Sequence, residues 1–360
     1  MNKESSIKLL LASRAAESPL TEGGFVLLSD LAKSLVHQNL IETSVFSLID
    51  EHMNKPNKVK AFSSIGWRNI SKFQYPIGIY NHSGKYDVVH TAHIPTVKNS
   101  IILKAVTRRA RKNGVKFIQT ITGLPNLDDK NLHELLWGDF VVCQTSSAYK
   151  RVSLLTKKHV SLITPWPSPQ RVAFDEIRKK NTRLKLNVDG RMVLFPGEFE
   201  RMGIGLDFAD CLAHIFKNDP CCKVYLACRF DNLGVGKRLA KMFPCNVVNV
   251  GETNNIIELL EASDLTIFPT RKMENKFHPP LIIMESLSLG TPTLISDLID
   301  IDKNVSTLLK IIPSSDGWFG FADKILEASE ERTDVKKIIN NNNFTQMFKA
   351  YRSLYLKAGK

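Results

Sequence analysis

Residues 265–296 (LTIFPTRKMENKFHPPLIIMESLSLGTPTLIS) restrict the fold more than any other part of the chain. The apolar run at 265–269 has the length of a strand. Pro279 and Pro280 then open a helix that carries Glu285 early in its course, and Gly290-Thr291-Pro292 ends it before a second apolar run at 293–295. Strand, loop, helix, strand is a βαβ unit, whose two strands lie parallel in one sheet. Its loop leaves the carboxyl end of the first strand, where open parallel sheets bind ligands. Phosphate is favoured at the helix amino terminus, and a nearby carboxylate serves sugar hydroxyls. The unit predicts a nucleotide or phosphosugar site.

The same alternation runs through the rest of the chain. An apolar run at 7–12 is followed by a loop at 14–24 ending on Gly23-Gly24, and by helical periodicity over 25–38 through Phe25, Leu28, Leu31, Leu35 and Val36. Further strands are expected at 43–47, 87–91, 116–120 and 140–144, whereas residues 75–83, rich in Tyr, Gly and Asn, read as a loop. Pro165-Trp166-Pro167-Ser168-Pro169 forms a stiff crossing, followed by the basic stretch 178–185. Beyond it the alternation restarts, with strands at 192–195, 223–227 and 247–250 and helices at 206–216, 236–242 and 256–262. Residues 340–343, all Asn, read as a turn before a last helix with Phe344, Phe348, Tyr351 and Leu354 or Tyr355 on one face. A chain of 360 residues exceeds one ordinary core and suits two α/β domains. The expected fold class is therefore α/β, with two Rossmann-like domains facing across a cleft, residues 1–170 and 171–342.

A hydrophobic content of 43% and a charged content of 24% are those of a soluble globular protein. No apolar run approaches the roughly 20 residues of a membrane span, and the run at 7–12 is too short for a signal peptide, so a cytoplasmic protein is expected. Six cysteines without CxxC spacing predict buried free thiols rather than zinc ligands or disulfides. The net charge of +13 is confined to one half: residues 1–187 hold 28 Lys and Arg against 14 Asp and Glu, and residues 188–360 hold 21 against 22. Its densest part, 104–116, places Lys104, Arg108 and Arg111 or Lys112 on one helical face. Such a face is either simply solvated or meets a polyanion: an anionic membrane surface, a phosphorylated acceptor or nucleic acid. Nucleic acid is not expected, because no recognisable reading motif accompanies the charge.

Six blocks in order resemble the GT-B glycosyltransferases of retaining family 4. They are Glu22-Gly23-Gly24 before the first helix, the strand Tyr86-Asp87-Val88-Val89-His90, FIQTITGLP, VVCQTSS, LFPGEFERMGIGLDFAD, and IIELLEASDLTIFPT followed by PPLIIMESLSLGTPTLIS. The resemblance implies transfer of a sugar from a nucleotide donor to an acceptor with retention. It also implies no cofactor beyond the UDP- or GDP-sugar itself and no obligatory metal, with residues 343–360 packing back on the first domain. Glu285 matches the second glutamate of the family's E-x7-E motif, whose implied role is hydrogen bonding to the donor ribose; an ionised carboxylate can accept two hydrogen bonds from a vicinal diol. Leu281 belongs to the same block. Arg201 lies where the family holds the donor diphosphate; it is there either to offset charge on the leaving group or as a solvated loop arginine. Gly23 and Gly24 fall where backbone approaches phosphate, or form a plain turn. Gly251 and Glu252 match the loop at the base.

Departures from the family pattern name further candidates. Phe277 replaces the first glutamate of E-x7-E, leaving Glu274 in the same loop, with His278 as a donor beside the two prolines. Thr120-Ile121-Thr122-Gly123 lacks the usual histidine, which leaves His93 and Thr122 as polar groups at strand ends. Glu198 stands where an arginine is usual, so Arg201, Arg229 and Lys237 are the basic candidates. The leading expectation is a hexosyltransferase acting on a glycan, glycolipid or other surface-polysaccharide acceptor. By family habit it would sit peripherally on the inner face of the plasma membrane. The competing expectation is a GT-B-shaped binding or partner subunit without turnover.

Overall fold

The computed structural model describes residues 6–12, 23–35, 40–47, 58–60, 71–125, 127–228, 231–272, 280–328 and 342–360. The chain divides into two units, Met1–Trp166 with Asn343–Lys360, and Pro167–Asn342. Each is built on a fully parallel sheet whose central strands are apolar on both faces, as helix-covered parallel strands must be.

In the first unit the strands are β1 (Ile7–Ala12), β2 (Ile41–Ser47), β3 (Lys58–Lys60), β4 (Val88–His93), β5 (Lys116–Ile121), β6 (Phe140–Cys143) and β7 (His159–Leu162), in the order β3-β2-β1-β4-β5-β6-β7. The helices α1 (Gly23–Leu35), α2 (Ser71–Ser83), α3 (Val97–Lys112), α4 (Asp129–Leu135) and α5 (Ser146–Leu155) connect them. The strand order reverses between β1 and β4.

Residues 75–83 are helical, contrary to the expected loop. Tyr75 and Ile79 are buried, the Tyr75 hydroxyl donates to the Ala12 carbonyl at 3.0 Å, and a Cβ on Gly78 would stand 2.0 Å from the Phe46 ring. Packing on β1 and β2 overrides the poor helix propensity of Gly, Asn and the internal Pro76. The basic face on α3 is also divided. Arg111 pairs with Asp139, donates to the Trp137 carbonyl at 2.7 Å and lies over the Phe117 ring, and Lys104 donates to the Glu134 carbonyl at 2.7 Å. Arg108 and Lys112 stay exposed, beside exposed Val97, Lys98 and Ile101.

The second unit contains β8 (Met192–Phe195), β9 (Lys223–Leu226), β10 (Val247–Asn249), β11 (Leu265–Phe268), β12 (Thr293–Ser296) and β13 (Lys310–Ile312), in the order β10-β9-β8-β11-β12-β13. Its helices are α6 (Glu176–Lys185), α7 (Phe199–Met202), α8 (Phe208–Asn218), α9 (Val235–Met242), α10 (Ile256–Ala262), α11 (Leu281–Ser288), α12 (Lys303–Ser306) and α13 (Gly317–Leu326). Here the order reverses between β8 and β11. Glu261 on α10, fully buried, accepts from the Arg178 guanidinium on α6 at 2.9 Å and ties the two helices together.

The last helix, α14 (Asn342–Ala358), belongs to the first unit. Its buried seam is Met347, Tyr351, Leu354, Tyr355 and Ala358, whereas Phe344 and Phe348 of the expected face are half-buried and stack on each other at its margin. Asn342 and Asn343 lie in the helix; Asn340 and Asn341 of the expected turn fall outside the described residues.

Between α14 and the sheet runs a chain of polar contacts. Tyr355 Oη meets His90 Nδ1 at 2.8 Å, His90 Nε2 meets Thr120 Oγ1 at 2.7 Å, and Thr120 Oγ1 meets Tyr351 Oη at 3.2 Å. All four residues are buried. Desolvation pulls the His90 imidazole down to about 3 and pushes both tyrosine hydroxyls up. Four of the six free cysteines are buried, as expected, but Cys221 and Cys245 are exposed. Among the described residues, no helix is long and apolar enough to cross a membrane.

Candidate functional site

In doubly wound sheets the ligand crevice lies outside the carboxyl ends of the strands, where the strand order reverses. In the second unit this is the space beyond β8 and β11. After β8 the chain turns through Gly197 and Glu198 into α7. A Cβ on Gly197 would stand 2.4 Å from the Phe195 ring and 2.6 Å from Met202 Sδ, so any larger residue would have to displace both side chains. After β11 the backbone N–H groups of Arg271 and Lys272 both donate to the Met202 carbonyl, at 2.7 and 3.1 Å, which stitches the two strand ends together. Thr270, immediately before them in the chain, is fully buried, and its hydroxyl has no hydrogen-bond partner among the described residues.

Arg201 lies in α7 rather than in a loop. It is 52% exposed and pairs with Glu198 at 3.2 Å. Glu198 thus offsets the charge of the nearby arginine. Arg271, which inspection of the sequence passed over, lies over the Trp318 ring and donates to the Ser314 carbonyl at 2.6 Å. Lys237 is exposed on α9, and its backbone N–H, with that of Gly236, points at the Asp231 carboxylate, at 3.4 and 3.0 Å. An internal anion therefore fills the amino terminus of that helix. Gly251 has φ +69° with open space where a side chain would go, so the backbone conformation alone calls for glycine; Glu252 beside it is exposed.

Glu285 is the fifth residue of α11, not in its first turn. Ser286 fixes the helix to the sheet through the Thr266 hydroxyl at 3.0 Å and the Thr293 hydroxyl at 2.9 Å, and Gly290, at φ +74°, ends it. Leu281 opens α11 and is buried. With its helix held on both sides, Glu285 has a set position. Its side chain is 3% exposed and forms an ion pair at 2.6 Å with Arg171, which lies in the turn after the proline-rich crossing. A carboxylate this deep is tolerated because the guanidinium is there. Arg229, Glu274, Phe277, His278 and Pro279 lie outside the described residues.

At the corresponding edge of the first unit, α1 starts at Gly23, and a Cβ on Gly24 would stand 2.8 Å from the Ala92 carbonyl and 3.4 Å from Thr122 Cγ2. Close packing on β4 is enough to demand glycine at 24. Thr122 is buried, its N–H donates to the His93 carbonyl at 3.4 Å, and the His93 ring stacks on Trp137 at 6.3 Å. Gly24, His93 and Thr122 are thus brought to one sheet edge. At the end of β6, Gln144 is buried with neither amide atom hydrogen bonded among the described residues. A polar residue just past an apolar strand was its only sequence signal. Among the described residues, no group of three or more His, Cys, Asp or Glu side chains gathers to hold a metal.

No protein-family model matches the sequence, and no functionally curated protein matches it. Solved structures do. HepE of Anabaena, in complex with UDP and glucose, is similar over 96% of this chain and 99% of its own, with a TM-score of 0.69 and 13% identity. Sucrose-phosphate synthase of Thermosynechococcus elongatus is similar over 98% of this chain and 100% of its own, with a TM-score of 0.70 and 16% identity. A glycosyltransferase of Rickettsia africae covers 99% of this chain and 100% of its own, with a TM-score of 0.68 and 14% identity. At such identities the likeness is one of fold. The chain has the GT-B fold, two Rossmann-like α/β units with a carboxy-terminal helix returning to the first.

Proposed function

We propose that the protein is a nucleotide-sugar-dependent glycosyltransferase whose second unit holds the donor. The observation that carries this reading is Glu285, a charged residue kept at a set position under cover, on the helix that follows the β8–β11 reversal. A carboxylate so placed suits a ribose diol. Uracil is the favoured donor base, because HepE, of similar fold, was crystallised with UDP and glucose; GDP-sugars are the alternative. Gly251 and Glu252 would approach the base, and Arg201, Lys237 and Lys272 would face the diphosphate, with Arg229, Glu274 and His278 kept as sequence candidates. Cations there would stabilise charge growing on the leaving diphosphate, the main electrostatic demand of glycosyl transfer. His93, Thr122 and Gln144, with the first turn of α1 at Gly23 and Gly24, would line the acceptor side.

Retention of configuration and a glycan or lipid-linked acceptor are the family's implications. A peripheral membrane seat is supported by exposed Val97, Ile101, Arg108 and Lys112 on α3. Calorimetric titration with UDP- and GDP-sugars tests the donor reading. It fails if no nucleotide sugar binds and Glu285→Ala behaves as wild type.

A second reading, nucleotide binding without transfer, is favoured by two carboxylates. Glu198 neutralises Arg201, and Asp231 fills the α9 amino terminus. Mass spectrometry of a donor and acceptor screen separates the two, since any glycosylated product excludes the second.

A further inference from the structure

Arg171 and Glu285 are 114 positions apart in sequence and meet inside the second unit, guanidinium Nη2 to carboxylate Oε1 at 2.6 Å. Arg171 has a second terminal nitrogen, which no described residue engages. Nη1 is buried and has no hydrogen-bond partner among the described residues. A buried guanidinium N–H without an acceptor is rare in native proteins, because its lost hydration is not replaced. Such a group calls for an oxygen brought from outside the chain.

The neighbouring carboxylate decides which oxygen. A phosphate or carboxylate ligand would satisfy Nη1 but would be driven off by Glu285 beside it. An ammonium group would satisfy Glu285 but would be repelled by Arg171. A neutral hydroxyl can accept from the guanidinium and donate to the carboxylate at the same time. We propose that Arg171 and Glu285 together form a hydroxyl-reading pair, in which Arg171 positions the carboxylate through Nη2 and binds a ribose hydroxyl of the nucleotide through Nη1. The assignment to ribose rests on the nucleotide reading given above; the choice of a hydroxyl over an anion follows from the pair alone.

The pair also differs from the cations discussed for the diphosphate. Arg201 is exposed and Arg271 is held by Trp318 and Ser314, whereas Arg171 is 20% exposed and fixed at its inner end by Glu285. Its contribution is to discriminate a sugar hydroxyl rather than to attract charge. Arg171 thus acts on ribose selectivity and leaves the affinity for phosphate unchanged.

The test is isothermal titration of wild type and Arg171→Met with UDP, GDP and their 2′,3′-dideoxy counterparts. Wild type is expected to prefer the ribonucleotide by about tenfold or more, the worth of one charge-assisted hydrogen bond. Arg171→Met is expected to bind both forms alike, at the wild-type affinity for the dideoxy form. Because Arg171→Met removes the counter-charge of a buried carboxylate and can destabilise the fold, Arg171→Met/Glu285→Gln is measured beside it, with its melting temperature. It should remain folded and be equally blind to the ribose. Undiminished preference for the ribonucleotide in either variant overturns the assignment while leaving the nucleotide reading intact. Equal loss of affinity for both forms also overturns it, since that is the mark of a purely structural role. A wild-type protein that binds neither UDP nor GDP is a different failure, readable before any variant is made; it removes the nucleotide reading and this assignment with it.

Discussion

Acidification should loosen the first unit at one identifiable point. His90 is buried as a neutral imidazole between Tyr355 and Thr120, and burial holds it near 3, against an ordinary value of 6.5. Above pH 6.5 the imidazole is neutral in the folded and unfolded states alike, so its ionisation costs nothing. Below 6.5 the unfolded chain takes up a proton that the folded chain refuses until the pH approaches 3. Stability is therefore complete above 6.5 and falls through that window by about 1.4 kcal/mol per pH unit, or about 3 kcal/mol by pH 4. Other groups titrate over the same range, so the quantity to read is the difference from His90→Gln, which keeps an amide donor and acceptor but carries no proton. Urea-dependent hydrogen exchange of peptides from β4 and α14, compared at pH 7, 5 and 4, reports on the first unit alone. Wild type should lose about 3 kcal/mol more than His90→Gln between pH 7 and pH 4. Parallel losses in the two proteins would refute the reasoning, because they would mean that His90 takes up its proton in the folded state at little cost.

Three further outcomes are expected. Arg178→Met should destabilise the second unit by about 3 kcal/mol, by removing the counter-charge of the buried Glu261 carboxylate, and Arg178→Met/Glu261→Leu should recover most of this in urea melts. Gly24→Ala should lower stability by about 1 to 3 kcal/mol, because its Cβ presses on the Ala92 carbonyl, whereas Gly251→Ala should cost only about 1 to 2 kcal/mol, the penalty of its positive φ; thermal melts rank the two. If α3 meets anionic membranes, Arg108→Gln/Lys112→Gln should reduce binding to phosphatidylserine liposomes by about thirtyfold at low salt, and Arg111→Gln, whose guanidinium is already engaged, by much less; sedimentation measures both.

The frame of the molecule was readable in the sequence because parallel sheets advertise themselves through short apolar runs separated by helical periodicity. Central strands such as β8 and β11 were found within a residue. Of the four edge strands, β10 was found and three were not: β3 (KVK), β7 (HVSL) and β13 (KII) are short and partly polar, since each has a neighbour on one side only. Helix α2 was missed because its Tyr, Gly and Asn suit a turn locally, and only the groove offered by Phe46 and Ala12 makes them a helix. Glu285 was legible through its flanking motif. Its partner was not, because nothing local to Arg171 indicates a carboxylate 114 residues away. Gln144 and Thr270 escaped notice for a related reason: the absence of a partner is a property of the packed chain, not of any segment.

The return of α14 to the first unit also sets an order of events during synthesis. Translation delivers β4 and β5 early, then the whole of Pro167–Asn342, and only afterwards the tyrosines that seal His90 and Thr120. For that interval a nascent chain carries a bare polar seam on an otherwise finished sheet, a surface suited to holding by a chaperone until the last helix emerges from the ribosome.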